Sequence, residues 1–243
     1  MSKVSALLIV YNEEKLLPAV LANIEPYVDE IIVVDGSSEG PSTDSTAEVV
    51  KSSGDKVIYK SGTFRQPNGA WDRSAQYNAA ITVAIGDIFM FLSADMLFSN
   101  MEQLREVIES KNSFKLFFTS TIEFWQDTNH MRLYSVQGDL LTIPSSIMQV
   151  VAVDRSLKPI FQQDGSLKVE EARLFERVLV PQTTKYHLGW IRPFNQQVAK
   201  HIRHVTEGRW GEHGEKLLKG AKVELDLWAI VHVLGYKIGR AHV

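Results

Sequence analysis

An α/β fold built on a mixed, mainly parallel sheet is predicted for this chain of 243 residues, and three features of the sequence predict it. Continuous apolar runs alternate with stretches of helical period from Val4 to Leu92, the pattern of βα units around a parallel sheet. The run Ile88-Phe89-Met90-Phe91-Leu92 has no polar alternation, so it reads as a strand buried on both faces. Beyond Lys115 the pattern changes to strand after strand, which marks a second, mixed half.

Val4 to Val10 is the first strand. Asn12-Glu13-Glu14 then opens an amphipathic helix with Leu16, Leu17, Val20, Leu21 and Ile24 at helical spacing. Ile31 to Val34 is a second buried strand, closed by Asp35-Gly36-Ser37-Ser38, and Ser42-Thr43-Asp44 leads into a helix through about Ser53. Val57-Ile58-Tyr59 is a short third strand. A polar loop from Ser61 to Gly69 precedes a helix over about Ala70 to Ala84. The fourth strand starts at Ile88 and ends on Ser93-Ala94-Asp95, where Asp95 either faces a ligand or caps a helix starting near Ser99. Met101 to Ile108 is helical, with Leu104, Val107 and Ile108 toward the core. Lys115 to Trp125 and Leu133 to Ile143 read as strands, with Phe124 and Trp125 as core residues. Arg155 to Gly165 reads as a polar loop, and a strand is entered at Leu174 and includes Leu179-Val180. Asn195 to Thr206 and Glu224 to Tyr236 read as helices, the second packing on the core or making a homodimer contact.

The hydrophobic fraction of 44% over this length supports one large core, so residues 1–243 are expected to form a single domain. A net charge of −3 gives no global attraction to nucleic acid, and the absence of cysteine removes disulfides and thiolate metal sites. No apolar run approaches the ~18 residues a membrane helix needs. Met1 is followed at once by a strand-like run without a signal-peptide pattern, so a cytoplasmic protein is expected.

In a parallel sheet the loops after the strands meet on one edge, which gathers Tyr11, Asn12, Asp35, Asp44 and Asp95 into one crevice. Carboxylates there can accept from a base N–H or from ribose hydroxyls, and helix N-termini offer donors to phosphate. The sequence has neither G-x-G-x-x-G after the first strand nor G-x-x-x-x-G-K-[ST] anywhere. Dinucleotide binding of the Rossmann kind and P-loop chemistry thereby lose their strongest signature.

The segments Val10-Tyr11-Asn12-Glu13-Glu14, Asp29-Glu30-Ile31-Ile32-Val33-Val34-Asp35-Gly36-Ser37, Ser42-Thr43-Asp44-Ser45-Thr46, Gln76-Tyr77-Asn78-Ala79-Ala80 and Phe91-Leu92-Ser93-Ala94-Asp95 together resemble the family 2 glycosyltransferases of the GT-A fold. The resemblance implies a nucleotide-binding half over residues 1–100, an acceptor-side half over 101–193 and a helical C-terminal segment over 194–243. It implies a nucleotide-sugar donor, with UDP as the expected nucleotide, held by Tyr11, Asn12, Glu14, Asp35, Asp44, Arg73, Asn78, Ser93 and Ala94. It implies a hydroxyl acceptor that could be a glycan, a protein, a metabolite or a modified DNA base. It also implies a divalent metal, Mn2+ or Mg2+, at a D-x-D-like motif.

Here the first carboxylate of that motif is Ser93, a weak ligand for a hard cation, which leaves Asp95. Tyr186-His187-Leu188-Gly189-Trp190-Ile191-Arg192-Pro193 is similar to a subgroup of the family with an aromatic-His-x-Gly-Trp-x-Arg-Pro segment. That likeness makes His187 the second metal ligand expected, beside Asp95. Arg192 and Lys200 are expected to meet the departing diphosphate. Inverting transfer needs a base for the acceptor hydroxyl, and Asp164 is the first candidate, with Glu170 and Glu171 in reserve. Asp164 is equally well read as part of an Asp-Gly turn.

Two other functions compete. A sugar nucleotidyltransferase would share the nucleotide-binding sheet, but its Gly-rich, basic first loop is absent from Tyr11-Asn12-Glu13-Glu14. A non-catalytic sugar-nucleotide or glycan-binding module is motivated by Ser93.

Overall fold

The computed structural model describes residues 2–110, 113–125, 127–131, 148–170 and 176–188, with side chains omitted at 123–131 and 148. The chain divides into two units, Met1–Ile191 and Arg192–Val243, and everything described below belongs to the first. The strand expected at Leu133 to Ile143, the helices expected from Asn195 and Glu224, and Glu171, Arg192 and Lys200 lie outside the described residues.

The first half follows βα alternation in the order β1 (Val4–Val10), α1 (Leu17–Ile24), β2 (Glu30–Ser37), α2 (Thr46–Lys51), β3 (Val57–Thr63), α3 (Arg73–Ile81) and β4 (Ile88–Ser93). The second half adds β5 (Met96–Ser99), α4 (Met101–Glu109), β6 (Leu116–Trp125), β7 (Asp127–Met131), β8 (Met148–Asp154), β9 (Ile160–Phe161), β10 (Leu167–Lys168) and β11 (Arg177–His187). One nine-stranded sheet runs β3-β2-β1-β4-β8-β6-β11-β5, with β7 on β6. β3, β2, β1 and β4 are parallel, while β8 and β5 enter antiparallel. β9 and β10 form a separate hairpin.

Strand alternation sends successive residues to opposite faces, and both faces are covered. Val4, Ala6, Leu8 and Val10 share one core with Leu17, Val20, Leu21 and Ile24 of α1, Val50 of α2 and Leu104 and Ile108 of α4. Leu7, Ile32, Val34, Phe89 and Phe91 face the other way, onto Ala80 and Tyr77 of α3 and Phe161 of the hairpin. Because β1 lies between β2 and β4, all seven of its residues are buried, and its one polar residue, Ser5, donates its hydroxyl to Glu30.

β2 and β3 both run further than expected. Pairing continues through Asp35↔Ser61, Gly36↔Gly62 and Ser37↔Thr63, so the strands enter stretches read as turn and loop. Gly36 makes this possible. Its φ is +155°, and a Cβ there would stand 2.1 Å from the Gly62 carbonyl oxygen. Only glycine allows that approach.

The second half departs most from the sequence reading. β5 occupies the stretch expected to join Asp95 to a helix, and α4 begins after Asn100, which is left-handed at φ 51°. Asp95 therefore does not cap that helix. The expected loop from Arg155 to Gly165 contains β9 and most of the hairpin turn, with β10 just beyond it, and β8 fills a short apolar run that periodicity alone does not assign. β11 is eleven residues long, with an irregular register between Leu179 and Thr184 that admits Pro181. Among the described residues, no helix is long and apolar enough to cross a membrane.

Candidate active site

The carboxyl ends of β1, β2 and β4 bring three groups of polar residues to one edge. The first is a clasp between the turn after β1 and the loop before α2. Asn12, left-handed at φ 54°, donates its amide to Ser42 Oγ at 2.8 Å, and its side-chain oxygen accepts from the Thr43 amide at 2.8 Å. The Glu13 amide donates to Thr46 Oγ1 at 2.8 Å, the Glu14 amide to Asp44 Oδ2 at 3.2 Å, and the Ser45 amide to Glu14 Oε2 at 3.1 Å. Asp44 Oδ1 also takes the Thr46 amide at 3.0 Å, so its two oxygens join α2 to the β1 turn.

Asp35 sits beneath this clasp with no exposed surface. Its carboxylate accepts the Ser42 amide, the Ser42 hydroxyl at 2.5 Å and the Tyr59 hydroxyl at 2.7 Å. Burial, and after it the adjoining Asp35 carboxylate, pushes the Tyr59 phenol up to about 12. Asn12, Glu14, Asp35 and Asp44, four of the residues expected to bind a donor, are thus brought together and hydrogen-bond one another's loops.

The second group is organised by Gln76, a fully buried side chain in the middle of α3. Its Nε2 donates to the carbonyls of Val10 (3.2 Å), Val34 (2.7 Å) and Gly36 (3.2 Å), gathering the ends of β1 and β2. Its Oε1 accepts from the Trp71 indole at 2.9 Å. The Tyr11 ring meets Trp71 edge-on at 5.9 Å, and the Arg73 guanidinium lies 4.6 Å from the Trp71 ring centre. Neither Gln76 nor Trp71 stands out in the sequence as a site residue. A mid-helix glutamine reads as solvated, and only its place between two strand ends makes it a hub.

The third group holds the expected metal ligands. Ser93 donates its hydroxyl to Asp95 Oδ1 at 2.5 Å, and Asp95 Oδ2 is 3.3 Å from His187 Nε2. The Leu188 amide donates to the Asp95 carbonyl at 2.7 Å, and His187 pairs across the ladder with Met96. The end of β11 is thereby fixed against the end of β4. Tyr77 donates to the Leu92 carbonyl at 2.8 Å. Burial raises its phenol pKa; Asp95 raises it further, while Arg73 opposes. Ala94 is buried between Ser93 and Asp95. Among the described residues there is no group of three or more His, Cys, Asp or Glu side chains able to hold a metal.

Two other candidates lie elsewhere. Asn78 holds the β9 strand, donating to the Phe161 carbonyl and accepting the Phe161 amide, each at 2.9 Å. Asp164 occupies the hairpin turn between β9 and β10, where its Oδ1 accepts the Ser166 amide at 2.8 Å and the Ser166 hydroxyl at 2.6 Å. Those bonds, the hydroxyl's first, hold the exposed carboxyl below its ordinary pKa. Glu170, one of the reserve candidates, is exposed and ion-paired with Lys158 at 2.6 Å.

The model of glycosyl transferase family 2 matches residues 5–144, more than half of the chain. The chain belongs to glycosyl transferase family 2. The match takes in the clasp, the Gln76 hub and Asp95 of this family 2 domain, and ends before β8, the hairpin and His187. A TPR repeat-containing protein of Synechococcus elongatus is 37% identical over 221 residues, covering 88% of this chain and 50% of that protein. The chain therefore spans half the length of that curated relative. Among solved structures, S. aureus TarS (residues 1–349) superimposes with a TM-score of 0.52 at 16% identity, covering 84% of this chain and 65% of that one. Its complex with UDP-GlcNAc gives 0.50 at 15% identity, covering 84% and 66%. The mannosyltransferase PcManGT of Pyrobaculum calidifontis, in complex with GDP-Man and Mn2+, gives 0.52 at 16% identity, covering 100% of this chain and 76% of that one. At such identities the likeness shows the GT-A glycosyltransferase fold, in agreement with the family 2 sheet described above.

Proposed function

We propose that this domain transfers a sugar, with inversion, from a nucleoside diphosphate sugar to a hydroxyl acceptor at the crevice over β1, β2 and β4. The observation that carries the reading is that Ser93 and Asp95 with His187 follow β4, and Tyr11 with Trp71 and Arg73 follows β1, at the carboxyl edge of two adjacent parallel strands. Donor class is supported by the solved relatives crystallised with UDP-GlcNAc and with GDP-Man. UDP is the nucleotide we expect here.

A divalent cation, Mn2+ or Mg2+, belongs to this reading. Asp95 and His187 fit it: a carboxylate and an imidazole face each other, and Ser93 fixes one carboxylate oxygen. These two would hold the ion, with phosphate oxygens and water filling its shell, as is usual for cations bound through few protein groups. Bound there, it would neutralise charge on the leaving diphosphate. The clasp keeps the β1 and β2 loops in one arrangement before the donor arrives, which lowers the ordering cost of binding. The Arg73 guanidinium lies over the Trp71 ring.

The test is donor turnover without acceptor. UDP- and GDP-sugars incubated with the protein and Mn2+ are expected to release nucleoside diphosphate slowly, and Asp95→Ala to abolish that release. A binding module would stabilise against heat in the presence of donor yet release nothing. A nucleotidyltransferase would liberate pyrophosphate from a nucleoside triphosphate and a sugar phosphate.

A further inference from the structure

We propose that a cavity at the amino edge of the parallel strands, at the far end of β4 from Ser93 and Asp95, binds a small molecule with an apolar body and one anionic group. The cavity measures about 440 Å³, a usual size for a ligand site, and lies between the second half of α3 and the segment joining β8 to β9. Ile81, Phe89, Pro159 and Ile160 supply its apolar wall, and Ile160 is 51% exposed. Phe89 precedes Ser93 on β4 by roughly 13 Å of strand, so the cavity is separate from the crevice.

The walls are held apart by bonds of their own. Asn78, which the family likeness assigned to the donor, instead bonds both backbone groups of Phe161 at 2.9 Å. The Tyr77 and Phe161 rings stack at 4.5 Å, so α3 and β9 keep their spacing. Across the cavity, the Arg155 amide donates to the Asp87 carbonyl at 2.7 Å and the Lys158 amide to the Arg155 carbonyl at 2.9 Å. A site formed in advance spends little on ordering when its ligand arrives.

Charge selects the ligand. Two cations line the cavity, and the Lys158 ammonium is already paired with Glu170 at 2.6 Å. Arg155 is exposed and makes no side-chain hydrogen bond or ion pair among the described residues; its guanidinium carbon lies 5.8 Å from the Phe89 ring centre. An unanswered guanidinium beside an apolar wall suits a carboxylate or phosphate whose attached body covers Ile81, Pro159 and Ile160. α3 ends here, yet its last carbonyls are answered. Asn78 accepts the Thr82 amide, Ala79 the Thr82 hydroxyl, and Ala80 the Val83 and Ala84 amides.

Equilibrium dialysis of the full chain against three probes tests this: 2-naphthoate, the neutral 2-naphthalenemethanol, and inorganic phosphate. Naphthoate is expected to bind once per chain, the alcohol about tenfold more weakly, and phosphate not at all. Arg155→Gln should bring naphthoate down to the level of the alcohol and leave the alcohol unchanged, while Ile160→Glu should lose both. Both side chains are exposed, so melting curves close to wild type are expected for each variant. Four results overturn the inference: no binding of naphthoate to wild type, equal affinity for the acid and the alcohol, indifference to Arg155→Gln, or displacement of naphthoate by UDP or GDP, which would put it in the crevice.

Discussion

His187, at the end of β11, and Asp95, in the turn between β4 and β5, approach to 3.3 Å although they are far apart in sequence. With few anionic protein ligands available, metal and donor should bind together. Mn2+ is expected to bind the free protein weakly and the nucleoside diphosphate complex strongly, and His187→Ala to lose that difference. Linkage requires the same factor in both directions, so calorimetry of either ligand in the presence of the other measures it. Coupling intact in a destabilised His187→Ala would reduce the histidine to a packing role. Asp164 gives a different kind of expectation. Its carboxylate is held in a turn by Ser166, so Asp164→Asn separates its two readings: transfer within a few-fold of wild type marks a turn residue, and a loss of roughly 10²–10⁴-fold marks the base. The sequence placed polar residues at the strand ends because residue type and strand end are both local facts. It could not say that Asn12, Glu14, Asp35 and Asp44 bind one another's loops, since each has several donors within reach and only the fold chooses among them.

Elements with a single physical signal were legible from the sequence, and elements defined by their neighbours were not. β1 has the residues expected, because a strand buried on both faces is apolar wherever no buried partner answers a polar group, as Glu30 answers Ser5. β5 has four residues and exists because β11 offers it a ladder, which no local pattern announces. β2 continues past Val34 because β3 pairs with it as far as Thr63. Gly36→Ala should therefore cost about 2–4 kcal/mol in urea denaturation, the usual scale for a strained backbone position with a steric conflict. α4 is tied to the start of the sheet by Arg105, which meets Asp29 at 2.8 Å and Glu109 at 2.7 Å. Burial pushes the Asp29 carboxyl up, but bonds from the Val4 amide and the Arg105 guanidinium outweigh it and hold the pKa below its ordinary value. The folded pKa is thus the lower one. The pair's contribution is fully present above the ordinary Asp value near 3.9 and is lost as pH falls through the depressed folded value. Melting curves from pH 7 to pH 2 should show wild type and Arg105→Met converging at the acid end, by a small amount because Asp29 is 42% exposed.

Across the described residues, one sheet serves two cores and one of its edges carries the candidate site. A ligand seated across the ends of β1, β2 and β4 stabilises the folded state by mass action, about 2.7 kcal/mol at a hundredfold excess over Kd. For a domain of this size that corresponds to roughly 5–11 °C in melting temperature. Thermal denaturation with UDP or GDP should show that shift, and a panel of nucleotides without effect would remove the donor site from this edge. The clasp above Asp35 has a further consequence for how the sequence can drift. Nearly every polar atom in it answers to a backbone amide in the other loop, so one substitution leaves an unanswered N–H opposite. A backbone N–H stays whatever residue bears it, so no second change at the opposite position repairs the loss, and Asn12, Glu14, Ser42, Asp44 and Thr46 should each admit only side chains that keep an acceptor oxygen. In a library randomising these positions one at a time, the folded members should be concentrated among Ser, Thr, Asn, Asp, Gln and Glu.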